Sequence, residues 1–179
     1  MNLLHRHHAK NKTAHEDVAP EERIRTFLQE HKTAVLATVN ARGVPHATAL
    51  YYALDDEYTI RFLTKRGTRK SSNLVQNPQV SLVVFDEGRQ ISVSIAGQAV
   101  RVRGEVETHE AFLRTLRASL HTADSAIPPV SRLDAGDYVA YELRPAEIRM
   151  QTYRDAPLVM RREGSGVEGR LVLAARPAL

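Results

Sequence analysis

The first regular pattern along the chain has a helical period. Four residues fall on one face at 3.6-residue spacing: Ile24, Phe27, Leu28 and His31. Pro20 precedes them, and Glu21 and Glu22 occupy the first turn, where the helix dipole favours acidic side chains. The pattern therefore predicts an amphipathic helix that begins at Pro20.

After residue 32 the period changes to that of strands. Short segments rich in β-forming residues alternate with polar turns, in the order expected for hairpins. The last two segments are long: the AGQ sequence at 96–98 predicts a bulge in one, and Pro145 is expected to interrupt the other. The predicted strands are residues 33–39, 44–54, 58–64, 79–85, 90–107 and 138–153.

Two further helices are expected between the strands. One spans residues 68–76, with Thr68 as its N-cap, and ends before the Asn77-Pro78 pair. The other spans residues 108–120, with Thr108 as its cap. Its apolar face is expected to comprise Phe112, Leu113, Leu116 and Leu120.

Six strands in hairpin order, with helices inserted between them, predict a mainly β fold. The expected architecture is an antiparallel six-stranded β-barrel with flanking helices, formed by residues 19–154. Residues 1–18 are polar, rich in His and Lys, and aperiodic, so they are expected to be a mobile N-terminal segment. Residues 155–179 are expected to be a C-terminal extension that belongs to the barrel or to a dimer contact.

The composition excludes several classes of chemistry. The 179-residue chain has no cysteine, which removes disulfides, thiolate catalysis and cysteine-ligated metals and fits a cytoplasmic protein. No apolar run approaches the ~18 residues of a membrane span, and the sequence MNLLHRHHAKNK lacks the apolar middle of a secretory signal. We therefore expect a cytoplasmic location and no membrane partner.

The net charge of +4 permits an anionic partner. A nucleic-acid barrel would carry exposed aromatic residues interleaved with Lys and Arg on a strand face. Aromatic residues make up only 6% of the chain, and the cations concentrate at turns. The sequence therefore argues against a nucleic-acid partner.

The segment TKRGTRKSSNL, residues 64–74, concentrates cations at the start of a predicted helix: Lys65, Arg66, Arg69 and Lys70. A cation in the first helical turn costs ~0.3–1 kcal/mol against the helix dipole. The sign reverses if a phosphate group binds there, since backbone N–H groups, a guanidinium and an ammonium then converge on it. The alternative is a solvated run of charge at a strand–helix junction.

This segment resembles the core of the pyridoxamine 5'-phosphate oxidase-like superfamily, the FMN-binding split barrels. The resemblance extends from FLTKRGTRKSSNLVQNPQVSLVVF to the preceding AVLATVNARGVPHATALYYALDDEYTIRFLT and the following GRQISVSIAGQAVRV, and covers roughly residues 20–153. It implies a six-stranded split barrel of Greek-key type. It also implies a homodimer with the flavin in the cleft between the subunits.

The resemblance further implies which residues bind FMN. Thr68, Arg69 and Lys70 match the residues that hold its phosphate, and Leu63 and Thr64 match the pair beside the phosphate and ribityl chain. Gln90 matches a glutamine that contacts the cofactor. The segment whose backbone runs along the flavin ring is matched by Thr48, Ala49, Leu50 and Tyr51, although Thr48 replaces an arginine that many family oxidases have.

Other positions depart from the vitamin-processing oxidase itself. Ala53 stands where that enzyme has a substrate-binding lysine, the Arg-Leu-His element has no counterpart in residues 150–166, and the chain has no tryptophan. We therefore do not expect pyridoxamine phosphate as substrate. The expected function is an FMN-dependent oxidoreductase of unknown substrate, with NADPH or NADH as the candidate reductant and no catalytic residue identified. A deazaflavin reductase and a non-catalytic flavin or heme carrier are the alternatives.

The histidines suggest no firm site. The His-rich N-terminus, with His5, His7, His8 and His15, is more often solvated than metal-bound, so no metal site is predicted. His46 could face the flavin, but a structural histidine at a strand edge is favoured. Tyr51 and Tyr52 are adjacent, so one points into the barrel and the other outward.

Overall fold

The computed structural model describes residues 18–104, 107–108, 110–111, 113–115, 138–153, 155–164 and 169–174. The elements in these ranges are α1 (Pro20–Glu30), β1 (Thr33–Val39), β2 (Pro45–Leu54), β3 (Ile60–Lys65), α2 (Arg69–Gln76), β4 (Gln79–Asp86), β5 (Ile91–Arg101), β6 (Tyr138–Thr152), β7 (Leu158–Glu163) and β8 (Arg170–Leu173). The described residues between 107 and 115 are also helical.

The first six strands close into an antiparallel barrel, as predicted. Neighbouring strands follow the order β3-β2-β1-β4-β5-β6, and β3 also pairs with β6 to complete the ring. β6 then leaves the ring: its first half, from Tyr138 to Leu143, pairs with β3, and residues Glu147 to Met150 pair with β7. β7 and β8 extend the sheet beyond the barrel as a hairpin.

A bulge interrupts the β5–β6 ladder at the predicted position. Ala96 pairs with Glu147 and Gly97 with Pro145, so Ala146 is the extra residue. A Cβ atom at Gly97 would lie 2.2 Å from the Arg144 carbonyl oxygen, so only glycine allows this approach. The prediction that Pro145 interrupts the strand is wrong: β6 is continuous, because the bulge accommodates a residue without an N–H group.

One helix covers each end of the barrel. α1 buries Ile24, Phe27 and Leu28, and the Tyr52 hydroxyl donates to the Leu28 carbonyl at 2.7 Å. α2 covers the opposite end, where the Asn73 side-chain amide donates to the Thr38 hydroxyl at 3.0 Å. The barrel interior between them is the main apolar core.

Two further sequence predictions need correction. β5 ends at Arg101, short of residue 107. Thr108 lies within its helix, with its hydroxyl bonded to the Gly104 carbonyl, so it is not the cap. The C-terminal strands β7 and β8 were not predicted. Phe112, Leu116 and Leu120, and the N-terminal segment before residue 18, lie outside the described residues.

Candidate functional site

The turn between β3 and α2 is built around Thr68. Gly67 has φ +73°, which a glycine adopts without strain, and Thr68 follows as N-cap with its hydroxyl oxygen accepting from the Ser71 N–H at 3.3 Å. The predicted cap is thus confirmed. The turn presents the first turn of α2 at the end of β3.

Internal bonds use the hydroxyl groups of this turn. Thr68 donates to the Lys65 carbonyl at 2.9 Å, and its oxygen lies 3.1 Å from the hydroxyl oxygen of Thr64. Because Thr68 has a single proton, Thr64 is the donor in the second contact. The Thr68 hydroxyl therefore shapes the turn, while the backbone N–H groups of Arg69 and Lys70 remain available to an external acceptor.

Two cations stand at this helix start without an acidic residue in the first turn. Arg69 is exposed and Lys70 is half-buried, and burial lowers the pKa of the Lys70 ammonium. Among the described residues, no carboxylate pairs with either. A desolvated cation without a counter-charge is unfavourable, so a bound anion fits this position. We call Arg69, Lys70 and their N–H groups the cradle.

β2 presents a shallow outer surface beside β3. Ala47, Ala49, Tyr51 and Ala53 alternate with inward-facing Leu50, which is 8% exposed. Thr48 shares the inward register, opposite Leu36. A flat ligand on this face would therefore meet small side chains and the backbone.

The remaining predicted residues near the cradle, Leu63 and Thr64, both have buried side chains. Leu63 packs with Tyr138, Ala140 and Ala111 in a second apolar cluster outside the barrel, and Thr64 is buried. The structure thus brings together the cradle, the end of β3 and the outer face of β2. Because the Leu50 side chain is buried in the barrel, only its backbone atoms can contact a ligand on the outer face of β2.

Gln90 lies at the opposite end of the barrel. Lys65, next to the cradle, pairs with Tyr138 at the start of β6, whereas Ile91, next to Gln90, pairs with Thr152 at its end. The whole length of β6 separates the two positions. Within one chain, the structure does not place Gln90 beside the cradle.

A cavity of about 990 Å³ lies beside Gln90, between α1 and the β4–β5 turn. The sequence did not predict it, because the amphipathic pattern of α1 indicates only that one face of the helix is buried. Gln90 has φ +55°, a left-handed conformation uncommon for a residue other than glycine. The lining residues that offer charge or apolar surface to a ligand include Arg23, Phe27, Glu30, Arg89, Ile91 and Met150.

A polar network joins the two walls of this cavity. Arg89 donates to Glu30 of α1 at 2.7 Å and to Asp86 at 3.0 Å. His31 bridges the same carboxylate to the end of α1, with Nε2 3.2 Å from Asp86 Oδ2. The Arg89 N–H and side chain, together with His31, lower the pKa of Asp86.

The other titratable candidates do not form a second centre. His46 pairs with Thr38 in the β1–β2 ladder, on the inward register rather than the outer face, and its Nδ1 is buried without a hydrogen-bond partner in the described part of the chain. No group of three or more metal-binding side chains occurs among the described residues. The helices in the same ranges are all too short or too polar to cross a membrane.

The family model described as pyridoxamine 5'-phosphate oxidase matches residues 20–152. A pyridoxine/pyridoxamine 5'-phosphate oxidase of Rubrobacter xylanophilus is 30% identical over 148 residues, which are 82% of this chain and 61% of that protein. A second such enzyme, from Paraburkholderia phymatum, is 36% identical over 78 residues, which are 44% of this chain and 37% of that protein. The chain thus spans only part of the length of these curated relatives.

Solved structures share the fold. A pyridoxamine 5'-phosphate oxidase-related, FMN-binding protein of Nostoc punctiforme superposes with a TM-score of 0.60 and 16% identity, covering 88% of this chain and 98% of that one. A heme-binding protein of Mycobacterium smegmatis superposes with a TM-score of 0.62 and 20% identity, covering 80% and 59%. Both likenesses concern the fold.

Proposed function

The chain belongs to the pyridoxamine 5'-phosphate oxidase family, and we propose that it is an FMN-dependent oxidoreductase. The observation that carries the proposal is the cradle, where a half-buried ammonium and a guanidinium stand at a helix start without an acidic partner in the described part of the chain. A phosphate monoester would receive two N–H groups and two charge-assisted contacts there.

The chain's own residues would bind and orient the cofactor. Thr64 and Thr68 fix the turn that aims the N–H groups of Arg69 and Lys70. The small side chains of Ala47 and Ala49 leave room for a flat ring along β2. When bound, the flavin itself supplies the electron or hydride transfer, and the protein contributes placement and electrostatics.

We propose a substrate other than pyridoxamine phosphate. Ala53 lies on the outer face of β2, opposite Arg61, and offers no ammonium for a second phosphate. Charge-assisted contacts supply most of the binding of such groups. NADPH or NADH is the proposed reductant. The proposed location is the cytoplasm, which the absence of cysteine fits.

The proposed assembly is a homodimer. Val35 and Val83 pair across β1 and β4 and are 47% and 37% exposed, and Phe85 on the same face is 59% exposed. Contiguous exposed apolar surface of this kind marks an interaction site. The proposed dimer would bring Gln90 of one subunit beside the cradle of the other, since one chain alone keeps the two apart.

Heme is the second candidate, because a heme-binding protein of Mycobacterium smegmatis shares the fold. A histidine commonly ligates heme iron. Of the histidines, His31 and His46 belong to the described residues: the first pairs with Asp86 and the second lies on the inward register of β2. Neither stands on the outer face, which favours FMN over heme.

The test is to purify the full chain and record its absorption spectrum. We expect flavin bands, and release of FMN rather than FAD on boiling. A Soret band would support heme, and the mass of the released cofactor would identify a deazaflavin. A colourless protein whose melting temperature does not respond to FMN on the order of tens of micromolar would refute the proposal. Anaerobic mixing with NADPH or NADH then tests reduction.

A further inference from the structure

The cavity beside Gln90 has one wall on a single face of α1. Arg23, Thr26, Phe27 and Glu30 line it and recur at the three- and four-residue spacing of one helix face. The β4–β5 turn forms the opposite wall, and Ile91 and Met150 form part of its apolar surface. The cavity therefore lies between α1 and the β4–β5 turn at one end of the barrel.

Two charged side chains that line the cavity, Arg23 and Asp155, have no ion pair with any described residue. Glu30 and Asp86 both bind Arg89, and Asp155 is exposed and bonded to Thr152. Arg23 is half-buried and has no ion pair or side-chain hydrogen bond with any described residue. A guanidinium in a concave site matches a planar carboxylate with two parallel hydrogen bonds.

The volume and the apolar lining of the cavity indicate the size and polarity of its ligand. A volume of about 990 Å³ is that of a small-molecule site. Phe27 and Met150 are 2% and 4% exposed, so their side chains are held by the core where they form the apolar base of the cavity. Gln90, whose side chain has both donor and acceptor groups, also lines this space.

We infer that this cavity binds a carboxylate with a ring-sized apolar body. The carboxylate pairs with Arg23, and the ring packs on Phe27, Ile91 and Met150. The site is separate from the cradle, which lies at the other end of the same barrel. Only its further role, as the place where a substrate meets the flavin of the partner subunit, rests on the proposed function.

The test uses the flavin-free full chain with labelled methyl groups of Ile and Met. Benzoate is titrated in, and benzamide serves as its neutral isostere. We expect saturable shifts of the Ile91 and Met150 methyl signals with benzoate, and binding of benzamide weaker by about tenfold or more, as a charged hydrogen bond contributes. Arg23→Gln should abolish this preference, and Arg23→Lys should restore part of it.

Arg42→Gln is the matched control, because Arg42 is exposed in the β1–β2 turn at the opposite barrel end. It should leave benzoate binding unchanged. The inference is overturned if benzoate shifts neither methyl signal, if benzamide binds equally well, or if Arg23→Gln keeps the preference. FMN binding, read from visible absorption, is measured separately, so loss of one property does not imply loss of the other.

Discussion

His31 and Asp86 connect the end of α1 to the β4–β5 turn, with Nε2 3.2 Å from Oδ2. The other ring nitrogen, Nδ1, lies 2.7 Å from the Phe27 carbonyl oxygen. Both neighbours are oxygen acceptors when Asp86 is ionised, so an N–H group on either ring nitrogen has an acceptor within reach.

Acid should destabilise the protein partly through Asp86. The backbone N–H of Arg89 is the main cause of its lowered pKa, followed by the hydrogen bond from His31. A carboxyl whose pKa is lower in the folded state stabilises above its unfolded pKa, and this contribution is lost as pH falls through the folded value. Asp86→Asn should therefore lower the free energy of unfolding at pH 7 and flatten its dependence below about pH 4.

Urea unfolding at several pH values measures this effect. Asp56→Asn is the control, because Asp56 is an exposed turn residue whose side chain has no ion pair with the described residues. Equal acid sensitivity of Asp86→Asn and the unmodified protein would contradict the role of Asp86.

Removal of both cradle cations should weaken FMN binding strongly. A charged hydrogen bond contributes ~1.5–3 kcal/mol, so Arg69→Ala with Lys70→Ala should raise the Kd at least about 100-fold. Flavin fluorescence titration measures it. Arg42→Ala, which removes an exposed cation from a turn at the same barrel end, should have little effect. An unchanged Kd in the double variant would remove these residues from the site.

Lys70→Met should stabilise the flavin-free protein while it weakens FMN binding. The substitution removes a cation from a helix start, which is worth about 0.3–1 kcal/mol. Burial lowers the pKa of Lys70, so its charge destabilises the fold below the folded pKa. This effect diminishes as pH rises above that value and is gone above the higher unfolded pKa. The gain should therefore shrink at alkaline pH.

Urea unfolding of the flavin-free form tests this at neutral and alkaline pH. Arg66→Met changes an exposed cation in the same turn and should alter stability little. A loss of stability in Lys70→Met, comparable to that of a core substitution, would show that Lys70 supports the fold instead of a ligand.

Val83→Glu should prevent dimer formation and FMN binding together. The new charge would lie in the exposed apolar face that includes Val35 and Phe85, where a desolvated carboxylate is unfavourable. Sedimentation velocity measures the assembly. Val75→Glu, at a 75% exposed position on α2, is the control, and a Val83→Glu variant that stays dimeric would place the interface elsewhere.

The barrel strands could be predicted because each carries a strand pattern ended by turn residues. β7 could not be predicted, because LVMRRE is short and charged and has one buried residue, Met160. The cradle was predictable, since its cations are adjacent in sequence. The cavity was not, because its walls come from α1, a distant turn and the end of β6, and no local pattern encodes the space between them. The resemblance predicts that Gln90 contacts the cofactor, but it does not indicate the barrel end on which Gln90 lies.

The closure of the barrel also sets how the chain must fold. The β3–β6 ladder aligns Arg61 with Glu142, whose side chains bond at 2.9 Å across a sequence separation of 81 residues. Such non-local pairing requires a large loop to be ordered before its contacts form, which slows folding. Until those two strands meet, their unpaired edges are open to other chains, so refolding yield should fall as protein concentration rises.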